Sequence, residues 1–166
     1  DGHSVIPDAI AAGAAAIVAE QPCPDHAKEK DICWVQVADT HEADGLLMSA
    51  WHGFPAQQLV MLGVTGTNGK TTISYLVNSI FRATWQRAGL IGTIHNRIGD
   101  RVLEGSRTTP ESLDLQRMLA EMVDEGIGYA VMEVSSHALE LQRVACCDFD
   151  MAVFTNSVPP TKDSVI

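Results

Sequence analysis

The chain has 166 residues, 46% of them hydrophobic, and a formal net charge of −10 at pH 7. This composition predicts a folded chain, and the negative charge argues against binding to a nucleic-acid backbone. The longest run of small apolar residues, 9–19, is too short and too interrupted by glycine to span a bilayer.

The sequence pattern of residues 1–57 predicts the last part of a small α/β domain. A helix follows Pro7, and the β-branched apolar runs "AAIVAE" and "CWVQV" are typical of buried strands. The polar stretch "QPCPDHAKEKD" between those runs predicts a surface loop. "DTHEADGLLMSAW" predicts a helix that is capped by Asp39 or Thr40 and stopped at Gly53. We predict a linker at "PAQQ" (55–58) and place the domain boundary there.

From Leu59 onward, predicted strands alternate with predicted helices. "LVMLGV" predicts a strand, residues 70–89 a helix that ends near Gly89, and "LIGTI" a strand followed by a polar loop up to Pro110. Residues 111–126 predict a helix, and "YAVMEV", "SSHALEL" and "MAVFT" predict a strand, a helical turn and a strand. The order predicts an α/β fold with a mostly parallel, P-loop-type sheet and flanking helices. The last two strands are nearly continuous apolar runs, so we expect both to be buried on both faces.

The segment "GVTGTNGKTT" (63–72) has the composition of a phosphate-binding loop. The usual pattern places a glycine six positions before the lysine, where this chain has Val64. Gly66 and Gly69 allow positive φ, so that backbone N–H groups can point at phosphate oxygens. Lys70 offers a charge for the outer phosphates and Thr71 a hydroxyl for Mg²⁺. The alternative is a glycine-rich turn with a chance Gly-Lys-Thr.

Two later segments carry further polar groups. In "RTTPESLDLQ" (107–116), hydroxyls at a helix start suit an anionic group, although an ordinary helix cap at Thr109 before Pro110 explains the same residues. In "MEVSSHALELQR" (132–143), Glu133 ends a strand where a carboxylate can hold Mg²⁺, and Arg143 can clamp a phosphate or a carboxylate. The alternative is that Glu133 is a surface charge and Arg143 a solvated helix residue.

The cysteines and histidines predict no metal site. The four cysteines form no CxxC pair and the six histidines are scattered, so we expect reduced thiols and no zinc. The start "DGHSVIPDAI" has no signal-peptide pattern, and we predict a cytoplasmic protein.

Together, "GVTGTNGKTT", "TTPESLDLQ", "MEVSSHALELQR" and "FDMAVFTN" resemble the Mur ligases. The resemblance is to the branch that adds a diamino acid, meso-diaminopimelate or L-lysine, to UDP-N-acetylmuramoyl-L-alanyl-D-glutamate in peptidoglycan synthesis. It implies an ATP-dependent ligase with Mg²⁺ and an acyl-phosphate intermediate. We also expect a monomer at full length, and, from the charge and composition, no nucleic-acid partner and no membrane insertion. Residues 1–20 and 41–59 are similar to the end of the branch's UDP-binding N-terminal domain.

The resemblance implies the following site residues: catalytic Lys70; ATP contacts from Gly66, Thr67, Asn68, Gly69, Lys70, Thr71 and Thr72; Mg²⁺ ligands Thr71 and Glu133; and substrate contacts from Thr108, Thr109, Ser135 and Arg143.

The resemblance stops near Asn156. There the family continues with a run containing Asp-His-Leu-Asp, whereas this chain has "SVPPTKDSVI", and Lys162 does not match the lysine that is carbamylated in the family. We therefore expect an incomplete central ATP-binding domain over 58–166 and no C-terminal domain. Two alternatives stay open: a nucleotide-binding fragment without ligase activity of its own, and a cyanophycin- or folylpolyglutamate-type ligase, which should lack "EVSSHAL".

Overall fold

The computed structural model describes residues 2–28, 32–105 and 107–157. The N-terminal part pairs two parallel strands, with Ala16 opposite Cys33, next to a small core around Ile10 and Ile17. Its elements are a 3₁₀ turn Gly2–Val5, α1 (Ile6–Ala11), β1 (Ala16–Ala19), α2 (Asp25–Lys28), β2 (Cys33–Gln36) and α3 (Thr40–Trp51).

Three N-terminal predictions need comment. The predicted surface loop contains the short helix α2, in which the Ala27 N–H bonds the Pro24 carbonyl at 2.9 Å. Asp39, not Thr40, caps α3: its Oδ1 accepts from the N–H groups of His41 and Glu42 at 2.7 and 3.2 Å. The predicted linker folds as a 3₁₀ helix, Pro55–Gln58, that packs against the helix Ser112–Asp124 of the second part. The boundary at residue 57/58 therefore stays a prediction.

The second part is built on a six-stranded sheet. Its elements are β3 (Val60–Thr65), α4 (Lys70–Ala83), β4 (Ala88–Ile91), β5 (His95–Ile98), β6 (Arg101–Glu104), α5 (Ser112–Asp124), β7 (Tyr129–Glu133), α6 (Ser136–Glu140) and β8 (Met151–Phe154). The strand order is β6-β5-β4-β7-β3-β8. Strands β4, β7, β3 and β8 are parallel, and β5 and β6 form an antiparallel edge. This mostly parallel sheet with flanking helices confirms the predicted fold class.

The structure differs from the predicted elements between residues 83 and 110. Helix α4 ends at Ala83 and not near Gly89, because residues 88–91 form β4 and pair with β7. The predicted polar loop contains the hairpin β5–β6, which turns at Gly99 with φ +57°. A Gly-Asp pair between two short strands is a hairpin signal that the sequence prediction missed.

The helices lie on opposite faces of the sheet. Leu62, Val64, Leu90 and Val131 face α4, whereas Met61, Ile91, Ala130 and Met132 share a core with α5. Strand β7 is buried on both faces, as predicted. The same prediction is wrong for β8: it is the edge strand of the described sheet, and Met151 and Phe154 are 50% and 67% exposed.

All four cysteines are free thiols. Burial raises the pKa of the Cys147 thiol to about 12, so this thiol is neutral at physiological pH. Among the helices of the described ranges, none combines the length and the apolar character that crossing a bilayer requires.

Candidate functional site

The glycine loop lies at the carboxyl end of β3, and α4 begins directly behind it at Lys70. Gly66 and Gly69 have φ values of +125° and +86°, a range that favours glycine. The Lys70 ammonium donates to the carbonyl oxygens of Gly66 and Thr67 at 2.8 and 3.1 Å. The seven residues predicted to contact ATP thus form one loop and one helix start, where N–H groups and the helix dipole favour phosphate.

The end of β8 holds this loop from its outer side. The Asn156 side chain accepts from the Asn68 N–H at 3.1 Å and donates to the Asn68 carbonyl at 3.0 Å. The Asn156 carbonyl accepts from the Thr67 N–H at 2.9 Å, and the Thr155 hydroxyl donates to the Asn68 carbonyl. The site prediction did not include Thr155 and Asn156. The signal was available, because polar residues at the end of a strand next to β3 must lie beside the loop.

Glu133 ends β7 and is completely buried. Its carboxylate accepts hydrogen bonds from the hydroxyls of Thr71, at 2.9 Å, and Ser74, at 3.4 Å. The hydroxyl and N–H of Thr93 donate to it at 3.0 and 3.2 Å. The alternative of a surface charge is therefore wrong. Donors from α4 and from the segment after β4 therefore hold the Glu133 carboxylate in place.

The residues around Glu133 fit a magnesium ion. Carboxylate and hydroxyl oxygens are ligands that Mg²⁺ accepts, and Mg²⁺ in nucleotide sites is usually held by one or two protein ligands together with phosphates and water. Glu133 and Thr71 supply such a pair. Within the described ranges, no cluster of three or more His, Cys, Asp or Glu side chains could hold a metal by itself.

Thr109 connects the next loop to the end of β7. Its buried hydroxyl donates to the Glu133 carbonyl at 2.9 Å and accepts from the Ser135 N–H at 3.1 Å. Helix α5 begins only at Ser112, after Glu111 as the capping position. The alternative of a helix cap at Thr109 is therefore wrong, because its hydroxyl is already used by the strand end.

Arg143 lies beneath this loop with only 10% of its side chain exposed. Its Nη1 donates to the Thr109 carbonyl at 3.4 Å. Its Nε lies 2.8 Å from Glu111 Oε2, as an ion pair whose angles do not meet those of a hydrogen bond. The alternative of a solvated helix residue is wrong. Of the other predicted substrate residues, the Thr108 hydroxyl lies 3.0 Å from that of Thr93, and Ser135 caps α6 by accepting from the Ala138 N–H at 3.1 Å.

The sequence prediction missed the residues that complete the Glu133 cluster. Ser74 lies one helical turn beyond Thr71, on the same side of α4, and Thr93 follows the end of β4. Gly92 leaves room for the carboxylate, because a Cβ there would lie 2.4 Å from Glu133 Oε1. Burial, with a smaller contribution from the charge of Glu133, raises the pKa of Tyr75.

The comparisons with known proteins all match Mur ligases. Residues 64–159 match the model of the Mur ligase middle domain. The UDP-N-acetylmuramoyl-L-alanyl-D-glutamate–2,6-diaminopimelate ligase of Geobacillus kaustophilus is 50% identical over 156 residues, which cover 94% of this chain and 31% of that ligase. The ligase of the same name from Alkaliphilus metalliredigens is 48% identical over 163 residues, 98% of this chain and 32% of that ligase.

A solved structure of a ligase of this name superposes with a TM-score of 0.77 at 28% identity, covering 98% of this chain and 32% of that one. The chain thus spans roughly a third of the length of the relatives that it matches. The segment after Asn156 that departs from the family pattern, with Lys162 in it, lies almost entirely in residues 158–166, outside the described residues.

Proposed function

The chain belongs to the Mur ligase family, and on that premise we propose that it forms the ATP-binding part of a MurE-type ligase of peptidoglycan synthesis. The whole enzyme joins a diamino acid to UDP-N-acetylmuramoyl-L-alanyl-D-glutamate at the expense of ATP. The names of the relatives favour 2,6-diaminopimelate over L-lysine as the amine. The observation that carries the proposal is the buried carboxylate of Glu133, hydrogen-bonded to Thr71 directly behind a Gly-Lys-Thr loop.

In the proposed reaction, a substrate carboxylate attacks the γ-phosphorus of ATP, and ADP leaves. The resulting acyl phosphate is attacked by the amine, and the tetrahedral intermediate expels inorganic phosphate to leave an amide. Both steps place negative charge on phosphoryl oxygens, so the protein must supply positive charge and hydrogen-bond donors at fixed positions.

Lys70 supplies the charge. Its ammonium already lies inside the loop, 2.8 Å from the Gly66 carbonyl oxygen, and it can exchange its carbonyl partners for phosphate oxygens without leaving the loop. The first N–H groups of α4 and those of the loop bind the remaining phosphate oxygens. Asn156 and Thr155 hold the loop in this shape from outside.

Glu133 and Thr71 would hold Mg²⁺. When bound, the ion offsets charge on the phosphate groups and orients them. The four hydrogen bonds to Glu133 fix its carboxylate. Gly92 permits that position because it has no side chain.

The substrate side lies across Glu133 from the loop. Thr109 ties the 107–111 segment to the end of β7, and Arg143 lies under the same segment. We propose that Thr108, Ser135 and Arg143 line the approach of the UDP-muramoyl substrate and that the buried Thr109 positions them. Arg143 would exchange its ion pair with Glu111 for the carboxylate or phosphate of the substrate.

ATP binding by the 166-residue chain tests the loop assignment. We expect titration calorimetry to show Mg·ATP binding that Lys70→Ala weakens ~10-fold or more, as the loss of a charge-assisted bond implies. Arg101→Gln, which removes a positive charge from the distant hairpin, is the matched control and should leave the affinity unchanged. Equal affinities for wild type and Lys70→Ala would overturn the assignment.

A longer protein tests the ligation proposal. We propose a chimera that joins residues 1–157 to the remaining sequence of the Geobacillus kaustophilus relative, assayed by mass spectrometry for the tripeptide product. The chimera should be active, Glu133→Gln in the chimera should abolish activity, and the 166-residue chain alone should give no product above a control without enzyme. The chain alone should be inactive because two reactants and ATP must be held in register, and such positioning accounts for ~7–11 kcal/mol of barrier lowering.

Product from the chain alone that is lost with Lys70→Ala would contradict the expectation that this chain is inactive by itself. A folded chimera that binds ATP but makes no tripeptide would contradict the ligase proposal.

A further inference from the structure

A cavity of about 290 Å³ lies on the flank of α4, between that helix and strands β4 and β5. Ser79 and Arg82 line it from the helix, and His95 and Arg97 line it from β5. Ser79 and Arg82 lie 9 and 12 residues beyond Lys70, which places them about 14–18 Å further along the helix axis than the glycine loop. The cavity is therefore separate from the ATP site.

The arginines of this cavity differ from the other arginines of the chain. Five of the seven arginines are paired with carboxylates: Arg87, Arg101, Arg107, Arg117 and Arg143. For Arg82 and Arg97, no ion pair with a described carboxylate is present within 4.0 Å. In a chain with a net charge of −10, carboxylates are plentiful, yet the two arginines without one line the same cavity.

The other polar groups around the cavity are suited to an anion. The Tyr75 hydroxyl lies 2.8 and 3.0 Å from the two ring nitrogens of His95, and the two rings meet edge to face. This contact holds the imidazole of His95, which lines the same cavity as Arg82 and Arg97. Ser79 adds a hydroxyl donor. One carboxylate, that of Asp100, lines an adjoining cavity that Arg82 and Arg97 also border.

We propose that this cavity binds an oxyanion, a phosphate or carboxylate group, between the guanidinium groups of Arg82 and Arg97. Guanidinium groups bind both kinds of oxyanion through paired N–H donors, and two of them on one cavity provide such donors from two sides. The volume is at the lower limit of ligand pockets, which suits a small anion and not a nucleotide. The site does not depend on the proposed function, because none of its residues belongs to the glycine loop or to the Glu133 cluster.

The test is a titration of inorganic phosphate into the 166-residue chain carrying Lys70→Ala, so that the glycine loop contributes little binding. The side-chain Nε–Hε signals of the arginines are followed by NMR, with sodium chloride at equal ionic strength as the salt control. We expect saturable shifts of the Arg82 and Arg97 signals. Arg82→Gln and Arg97→Gln should each weaken binding ~10-fold, whereas Arg101→Gln, in the neighbouring hairpin, should leave it unchanged.

A parallel titration with succinate distinguishes the two sources of the oxyanion. Tighter binding of phosphate assigns the site to a phosphate group, and tighter binding of succinate assigns it to a carboxylate; either result supports the site. Shifts that do not saturate, or that sodium chloride reproduces, would overturn the proposal. It would also be overturned if Arg101→Gln weakened binding as much as Arg97→Gln does. Circular dichroism checks that each variant is folded. If Arg97→Gln is unfolded, Arg82→Gln still tests the site, because Arg82 is an exposed residue that lines the same cavity.

Discussion

The two halves of the candidate site, the glycine loop and the Glu133 cluster, are built from different chemical groups. The glycine loop is mostly exposed and made of backbone groups, and it is held from outside by the side chains of Thr155 and Asn156. The Glu133 cluster is buried and made of side chains, with four hydrogen bonds converging on one carboxylate.

This difference decides what each half tolerates. Water can replace a lost hydrogen bond at an exposed loop, so the loop should be sensitive to backbone shape more than to any single side-chain bond. The Glu133 carboxylate is completely buried, so a lost acceptor there leaves buried donors without partners. The substitutions that the loop tolerates thus depend on its backbone geometry, and those that the Glu133 cluster tolerates depend on keeping its hydrogen bonds.

The largest expected effect on stability is that of Glu133→Ala. It removes the shared acceptor and leaves a cavity, and we expect the free energy of unfolding to fall by about 2–4 kcal/mol. Glu133→Gln keeps the volume and one acceptor oxygen, and the hydroxyls of Thr71 and Thr93 can turn to accept from the new amide group. It should therefore change stability by less than about 1 kcal/mol. Urea denaturation of the 166-residue chain measures both.

The two Glu133 variants also separate packing from metal binding. In the proposed function, Mg²⁺ stabilises the wild-type chain with ATP present, and this stabilisation should vanish in Glu133→Gln even though that variant is folded. A Glu133→Gln chain that is still stabilised by Mg²⁺ to the same extent would reject Glu133 as a ligand. Equal destabilisation by Ala and Gln would show that charge, not hydrogen-bond satisfaction, governs the cluster.

The next largest expected effect is the difference in stability between alanine substitutions at two glycines of the loop. A Cβ at Gly66 would lie 2.2 Å from the Thr155 hydroxyl oxygen and 2.8 Å from the Asn156 carbonyl oxygen, at a φ of +125°. At Gly69, with φ +86°, a Cβ would meet nothing within 4 Å among the described residues. We expect Gly66→Ala to cost about 2–3 kcal/mol and to abolish ATP binding, and Gly69→Ala to cost about 1 kcal/mol.

Thermal denaturation and ATP calorimetry on the two glycine variants give the comparison. Similar losses for both would mean that positive φ alone limits the loop and that the contact with residues 155–156 is unimportant. A Gly66→Ala chain with wild-type affinity would contradict the view that the loop is limited by its geometry.

The loop was predictable from the sequence because its pattern is local. A strand, two glycines, a lysine and a helix lie within fifteen residues of one another, and local chemistry fixes the conformation of each. The Glu133 cluster was only half predictable. Thr71 and Glu133 follow from their places at a helix start and a strand end, but Ser74 and Thr93 are ordinary polar residues until the sheet order brings β4 next to β7.

The errors in the fold have the same origin. The hairpin β5–β6 consists of four-residue strands whose apolar pattern is too short to stand out from a polar loop. Strand β8 has the apolar composition of a central strand, but its burial depends on neighbours that composition does not specify. Thr109 was assigned two alternative roles, and the choice depended on the approach of β7, which is distant in the sequence.

A smaller effect is expected for Thr109→Val. Valine keeps the shape but removes the hydroxyl that serves the Glu133 carbonyl and the Ser135 N–H, so we expect a loss of about 1–2 kcal/mol. Thr108→Val is the matched control, since Thr108 is only half-buried and should cost less than about 0.5 kcal/mol. Chemical denaturation measures both, and equal costs would contradict the distinction between a fully buried and a half-buried hydroxyl.

The smallest expected effect on stability is that of Asn156→Ala, and it tests the exposed half of the site directly. The substitution removes the two side-chain bonds to Asn68 but keeps the bond from the Thr67 N–H to the Asn156 carbonyl. Because Asn156 is exposed, water replaces the lost bonds and the global cost should be about 0.5 kcal/mol. Amide hydrogen exchange should nevertheless accelerate at Asn68 while Thr67 stays protected, since only the first of these N–H groups loses its partner. Ser157→Ala, one residue further along, should change neither rate. Equal acceleration at Thr67 and Asn68 would mean that the whole 155–156 segment detaches from the loop, and unchanged exchange at Asn68 would mean that the Asn156 side chain does not hold the loop at all.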